Sequence, residues 1–234
     1  MPDLETNILG SLPLSIRRVL ISEITTFLHP SGGKQPPDHS LFGSPAHVKW
    51  FMEVIGQSFN LPLEDMGITS DDIDIYARWL FEQHTRPLAV VREGLEQEFY
   101  QIIFHQYSLL FQPRIARAIN CNATIKDTIT PLIQRHIELC KKTLKVFVMA
   151  GRTLKLSPET WAVVLKVMLG ITDYLLKEPV GETMNVINMA DELCDHLLQV
   201  LFELWLRSNT MDVEMWDILK VGFFSEIKKS FNKI

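Results

Sequence analysis

Ser157-Pro158-Glu159-Thr160-Trp161 opens one apolar run and Asp212-Val213-Glu214-Met215-Trp216 opens another; the run between them closes on Leu201-Phe202-Glu203-Leu204-Trp205-Leu206. The first opening is a complete helix-start signal. Ser157 can accept from a free backbone N–H, Pro158 sits at the first helical position where its missing N–H loses nothing, and Glu159 meets the positive end of the helix dipole. Apolar spacing then predicts helices from 158 to about 177, from about 182 or 188 to 207, and from 213 to about 231. Such faces need neighbours to bury them, which argues for stacked helix pairs. The two Glu-x-Trp starts lie 55 residues apart, longer than the usual pair repeat of about 40–47. The expected fold is therefore all-α, about eight helices, as an irregular HEAT/armadillo-like α-solenoid.

Working outward, Ile16, Val19, Leu20, Ile24, Phe27 and Leu28 predict a helix over 14–28 with Ser15 as its cap. His29-Pro30-Ser31-Gly32-Gly33-Lys34-Gln35-Pro36-Pro37 and Gly43-Ser44-Pro45 carry no periodicity and read as a mobile linker. Val48, Phe51, Met52, Val54, Ile55 and Phe59 mark the next helix. Ser70-Asp71-Asp72 reads as the start of a third, its two acids favourable to the dipole, ending before Arg86-Pro87. A fourth is expected over 94–110. A fifth is expected over 125–150, with Gly151 as its cap and Pro131 either breaking or beginning it. Leu88-Ala89-Val90-Val91 is ambiguous between strand and helix. The expected organisation is an N-terminal helical segment (1–28), a Pro/Gly/Ser-rich linker (29–45) and an α-helical scaffold domain (46–234).

The bulk numbers narrow the function classes. The chain has 234 residues, 47% hydrophobic, with a net charge of −5 and a mean hydropathy of +0.08, ordinary for a globular core. Mild acidity argues against sequence-independent nucleic-acid binding, because Lys141-Lys142 and Lys228-Lys229 are short solvated runs. Cys121, Cys140 and Cys194 form no CxxC pair and no zinc-ligand spacing, so they read as buried thiols in a reducing compartment. The N-terminus carries no secretory pattern, and no window of about 18 apolar residues implies a membrane span. A soluble, cytoplasmic chain is expected.

No phosphate-binding glycine loop, nucleophile elbow or helical zinc motif occurs. Asp191, Glu192, Asp195 and His196 form the best metal-like group, but a closed site needs faces from different helices, so they read as a solvated acidic face. His84, His105 and His136 pair with no nucleophile, and His105, within an apolar run, reads as a satisfied, partly buried imidazole. Arg114 and Arg117 have the chemistry to grip an acidic partner, and a solvated helix start explains them too. Trp161, Trp205 and Trp216 lie within apolar faces and read as core anchors, although tryptophan is also an interface residue. No catalytic, cofactor-binding or metal residue is assigned, and no cofactor is expected.

Four colinear segments carry a family likeness: Val48-Lys49-Trp50-Phe51-Met52-Glu53-Val54-Ile55 with Leu61-Pro62-Leu63; Leu110-Phe111-Gln112-Pro113-Arg114; Glu159-Thr160-Trp161 through Ile171-Thr172-Asp173-Tyr174-Leu175-Leu176; and Val200-Leu201-Phe202-Glu203-Leu204-Trp205-Leu206 with Trp216 following. They resemble the N-terminal helical region of the Ral GTPase-activating protein subunits, the beta subunit above all, and tuberin more distantly. The resemblance implies a non-catalytic scaffold or partner subunit of a GTPase-activating complex for Ral-type small GTPases. Its partners would be a catalytic alpha-type subunit, a small GTPase, or both. In that family the catalytic subunits carry a C-terminal activating domain that supplies an asparagine. Nothing in this sequence resembles that domain, so no catalytic residue carries over and the chain looks like the N-terminal segment alone. The first 44 residues match nothing in the family. The alternative is a stand-alone α-helical adaptor of unrelated function, since shared architecture alone carries no function.

Overall fold

A computed structural model of the chain describes residues 8–29, 42–112, 126–176 and 189–220. Among them the secondary structure is helical throughout, with no strand. The helices are α1 (Ile8–Ser11), α2 (Leu14–Leu28), α3 (Pro45–Ser58), α4 (Met66–Phe81), α5 (Leu88–Glu93), α6 (Glu96–Tyr107), α7 (Lys126–Thr153), α8 (Pro158–Leu176) and α9 (Met189–Ser208). Residues 213–220 form α10, and single 3-10 turns lie at Leu63–Asp65, Gln83–Thr85 and Ser108–Phe111. The all-α expectation holds, with more helices than the eight expected. Buried side chains from α1 through α10 form one hydrophobic cluster. Contact runs from α2 to α3 and α4, from α4 to α7, from α7 to α9, and from α9 through α8 back to α6.

Several boundaries follow the chemistry of the sequence. Ser157 Oγ accepts from the backbone N–H of Thr160 at 3.2 Å, capping α8. Ser44 does the same for α3, accepting from His47 N–H at 3.3 Å ahead of Pro45. The stretch expected as linker therefore contains a helix cap, and Phe42 is buried against Phe51 and Trp79. Leu88-Ala89-Val90-Val91 is helical, and α5 stops at Gly94, whose φ of 68° lies in the left-handed region that glycine enters without penalty.

Other boundaries depart from expectation, each for a local reason. α2 begins after Pro13 with no side-chain cap, so Ser15 does not cap it. Its buried face is Ile21, Ile24, Thr25 and Leu28, while Ile16, Val19 and Phe27 are exposed. The periodic set on α2 had mixed two faces. α4 starts at Met66, launched by the 3-10 turn at Leu63–Asp65, so Ser70-Asp71-Asp72 lies inside the helix and Asp72 points into the core. α6 begins at Glu96 and gives way to the 3-10 turn from Ser108. α7 runs through Pro131 and past Gly151 to Thr153, so Gly151 is not its cap. Glycine is needed there for closeness: a Cβ would stand 2.7 Å from Leu204 Cδ2 and 3.1 Å from the Trp161 ring. The segments expected to join α8 to α9 and to extend α10 to about 231 lie outside the described residues.

Candidate functional site

The residues singled out by sequence do not converge. On α9, Glu192 comes within 4.0 Å of Lys141. The neighbouring His196 is held below the usual imidazole range by burial, with Lys145 and Lys141 adding to the effect. Among the described residues no group of three or more His, Cys, Asp or Glu side chains is placed to hold a metal ion, and no helix is long and apolar enough to cross a membrane. Cys140 is buried, its thiol donating to the Leu110 carbonyl at 3.8 Å, and Cys194 is half-buried; Cys121, Arg114 and Arg117 lie outside the described residues. Trp205 is buried and meets Trp216 edge-on at 5.2 Å, and the partly exposed Trp216 donates its indole N–H to the Thr210 carbonyl at 3.0 Å. Trp205 takes the core place expected of it, whereas Trp216 packs on it from the surface and is not a core residue.

The histidine reading needs correction. His105 is exposed, because it lies on the outer side of α6. His136 is the buried one, donating from Nε2 to the Leu110 carbonyl at 2.7 Å. That contact ties α7 to the 3-10 turn that follows α6.

A polar seam crosses the interior between α2, α3, α4 and α6. Thr25 Oγ1 lies 2.8 Å from the Ile21 carbonyl and 2.9 Å from Asp72 Oδ1. A hydroxyl has a single hydrogen. With Asp72 protonated the relay closes: the carboxyl O–H donates to Thr25, and Thr25 donates to Ile21. Burial pushes Asp72 up to about 8, outweighing the lowering influence of Ser58 and Thr25. Ser58 Oγ stands close enough to favour the carboxylate, yet both it and Asp72 Oδ2 lack a hydrogen-bond partner in the geometry. Deeper in, Tyr76 donates its hydroxyl to the Met52 carbonyl at 2.9 Å and meets the Gln106 amide. Gly56 leaves room for that amide, since a Cβ there would lie 2.7 Å from Gln106 Cδ. Tyr107 donates to the Ile73 carbonyl at 3.1 Å. Thr25, Asp72, Tyr76 and Tyr107 of the seam are buried and Gln106 is partly buried, and its hydrogen bonds join helix to helix, so we read it as structural.

The surface feature with a shape is the contact between α6 and α8. At one end the two helices are clamped. Gln97 donates to the Lys155 carbonyl at 2.9 Å and accepts from Ser157 N–H at 2.8 Å; Gln101 donates to Thr160 Oγ1 at 3.0 Å. Further along, the clamp ends and a groove of about 400 Å³ opens. One wall is His105, Ser108, Phe111 and Gln112. The other is the α8 stripe Val163, Lys166, Val167, Gly170, Ile171 and Tyr174, spaced three and four residues apart. Phe111, Val167 and Ile171 are buried in the floor, and Tyr174 is 46% exposed at the rim. A Cβ on Gly170 would meet nothing within 4 Å. Such a surface is suited to apolar side chains with a polar edge, and its described lining residues include no carboxylate to pair with a base. Sequence reading did not find it, although Leu110-Phe111-Gln112 and Ile171 through Tyr174, two of the segments carrying the family likeness, border it.

Comparison with known proteins finds several similar sequences. The pattern of the RALGAPB N-terminal domain matches residues 132–230. The beta subunit of the Ral GTPase-activating protein from Rattus norvegicus is 28% identical over 212 residues, 88% of this chain and 13% of the relative; the Homo sapiens beta subunit gives the same figures. A Rap-GAP domain-containing protein from Dictyostelium discoideum is 34% identical over 112 residues, 47% of this chain and 7% of its own length. The chain thus spans only a small part of these relatives. No solved structure matches. The resemblance read from the sequence holds: this chain is similar to the beta subunits of the Ral GTPase-activating protein over most of its length, and the pattern of the RALGAPB N-terminal domain matches it over residues 132–230.

Proposed function

We propose that the chain is a non-catalytic helical scaffold or partner element of a GTPase-activating complex acting on Ral-type small GTPases, and that it works through protein contacts in the cytoplasm. The observation that carries this reading is the similarity to beta subunits over 88% of the chain. The helices are read as an irregular HEAT-like stack, with 46–234 as the scaffold domain, 1–28 as an N-terminal helical segment and 29–45 as the connection between them. Consistent with a contact role, the accessible groove is apolar and carries no paired acid and base. The partner is a catalytic subunit of alpha type; one such human subunit, alpha-1, is itself 26% identical to this chain over 101 residues.

Co-purification of the tagged chain from its own cells tests the reading. Recovery of a GTPase-activating subunit is the expected result; recovery of neither such a subunit nor a small GTPase would refute it. In a second assay, adding the purified chain to GTP-loaded Ral-type GTPase is expected to leave hydrolysis at its intrinsic rate, and a marked acceleration would make the chain a catalyst. A stand-alone adaptor is the second reading. It is favoured by one observation, that the similarity covers only 13% of the beta subunits' length.

A further inference from the structure

We propose that α2 is a proton-coupled latch: it docks on α3 and α4 with the Asp72 carboxyl in its acid form, and it leaves as a unit when that carboxyl gives up its proton to water. The inference concerns this chain alone and stands whether or not the contact-subunit reading does. Placement is the first argument. α2 packs chiefly on α3 and α4. Of its apolar side chains Ile21, Ile24 and Leu28 are buried and Leu20 partly so, while Leu14, Ile16, Val19 and Phe27 are exposed. A short buried face on an otherwise open helix is the profile of a unit that opens locally, ahead of global unfolding. What holds it is a ladder of polar ties. Arg18 Nε donates to Asp65 Oδ2 at 2.8 Å, and Thr25 Oγ1 meets Asp72 Oδ1 at 2.9 Å. The two ties are seven residues apart on both sides (18 to 25, 65 to 72), about two helical turns, so α2 and the start of α4 run side by side in one register. His29 follows, 3.9 Å from Asp71, an ion pair when its ring carries a proton. Each tie ends on a carboxyl of the α4 side, and of Asp65, Asp71 and Asp72 only Asp72 is buried.

That burial makes the docking titratable. Asp72 is faced by Thr25 from α2, Ser58 from α3, Tyr76 on α4 and Tyr107 from α6. Burial holds both phenols well above their usual range, so they stay neutral. The neighbouring charge, Asp71, opposes ionisation of Asp72 further. The cations of the surrounding elements are engaged elsewhere: Arg18 with Asp65, and Lys142 of α7 with Asp74 at 2.7 Å. Docked, the Asp72 carboxyl is pushed up to about 8; with α2 gone and water admitted it returns toward the ordinary 3.8. Docking therefore takes up a proton. The docked-to-released ratio is greatest below about pH 4, falls about tenfold for each pH unit up to about 8, and levels off above, where the carboxyl ionises in place. The His29–Asp71 tie acts in the same direction, since it is an ion pair only with the ring protonated.

Methyl NMR of the full chain, labelled at isoleucine, tests the latch. Ile21 and Ile24 report on α2, and the buried Ile133 and Ile137 on α7 report on the body. Between about pH 5 and about pH 9 the Ile21 and Ile24 signals are expected to pass from docked to solvated positions, with the population ratio changing about tenfold per unit until about pH 8. Ile133 and Ile137 should stay in place throughout. Asp72→Asn keeps the shape without a proton to lose and should hold α2 docked over the whole range. Arg18→Gln should lower the docked ratio about two- to fivefold at every pH and leave its slope unchanged, because that tie does not use Asp72. In wild type, with no substitution at all, the carboxyl 13C shift of Asp72 should titrate in step with the Ile21 and Ile24 signals. Signals of α2 that ignore pH, an undiminished pH slope in Asp72→Asn, or ionisation of Asp72 at its ordinary 3.8 would overturn the proposal. So would Ile133 and Ile137 moving together with Ile21 and Ile24, which would make the event global unfolding.

Discussion

The two halves of the molecule hold their helices together by opposite means. Between α2, α3, α4 and α6 the junction is polar and interior: Asp72 to Thr25, Tyr76 to Met52, Tyr107 to Ile73. Between α7, α8 and α9 it is mainly apolar, with Gly151 letting Leu204 and Trp161 close in, and the ion pairs of Glu203 lie near the surface. There Arg152 grips Glu203 through two bonds, at 2.6 and 2.8 Å, and Arg207 adds a third at 2.9 Å. Buried polar groups fix which surfaces meet but tie stability to protonation; apolar close approach is indifferent to pH and intolerant of volume.

The largest effect expected from this contrast is at Asp72. Its folded pKa of about 8 stands above the ordinary 3.8, so the native state holds a proton that the unfolded chain releases. Stability from this group is therefore full below about pH 4 and declines as pH rises toward 8. Asp72→Asn removes that decline and is expected to stabilise the protein by roughly 2–4 kcal/mol at pH 7, and by little at pH 4. Urea unfolding at both pH values measures it; an equal effect at the two would mean that Asp72 is ionised in the fold.

Gly151→Val probes the mainly apolar junction. Overpacking against Leu204 and Trp161 is expected to cost about 1–3 kcal/mol, with the same loss at pH 5 and pH 8, which thermal melts at the two values compare. Tyr76→Phe removes the hydroxyl that Met52 and Gln106 share, at a cost of about 1–2 kcal/mol in denaturant unfolding. A neutral result would show that the polar seam contributes register rather than stability. The smallest effect belongs to Glu203, which Arg152 and Arg207 hold down to about 2 by hydrogen bonding. Its contribution is present above about pH 4.5 and lost as pH falls toward 2. Being close to solvent, Glu203→Gln is expected to cost less than about 1 kcal/mol, and the difference should shrink when melts are repeated in high salt.

The same contrast explains what the sequence disclosed. Ser157-Pro158-Glu159 marked the start of α8 because caps are local chemistry. All-α character was legible because apolar periodicity survives in nearly every segment. What failed depended on three-dimensional company. Asp72 resembles any first-turn acid until the turn at Leu63–Asp65 starts α4 earlier and rotates it inward. Gly151 has the form of a helix end, and only Leu204, 53 residues away in the chain, makes it a contact point. The groove was invisible for the same reason. Val163, Val167 and Ile171 lie in the apolar run that Trp161 opens, and no local signal announces that α6 stops covering them.

The clamp made by Gln97 and Gln101 gives α8 the mechanics of a lever. It is gripped near Ser157 and Thr160, while the groove wall extends to Tyr174. At 1.5 Å per residue Tyr174 lies about 21 Å beyond the Thr160 grip, so a tilt of roughly five degrees there would displace it by about 2 Å. Groove width is thus geared to an angle set at the far end of the helix, and a change of packing around Lys155 or Gln97 would be felt at Tyr174 without any atom near Tyr174 being altered.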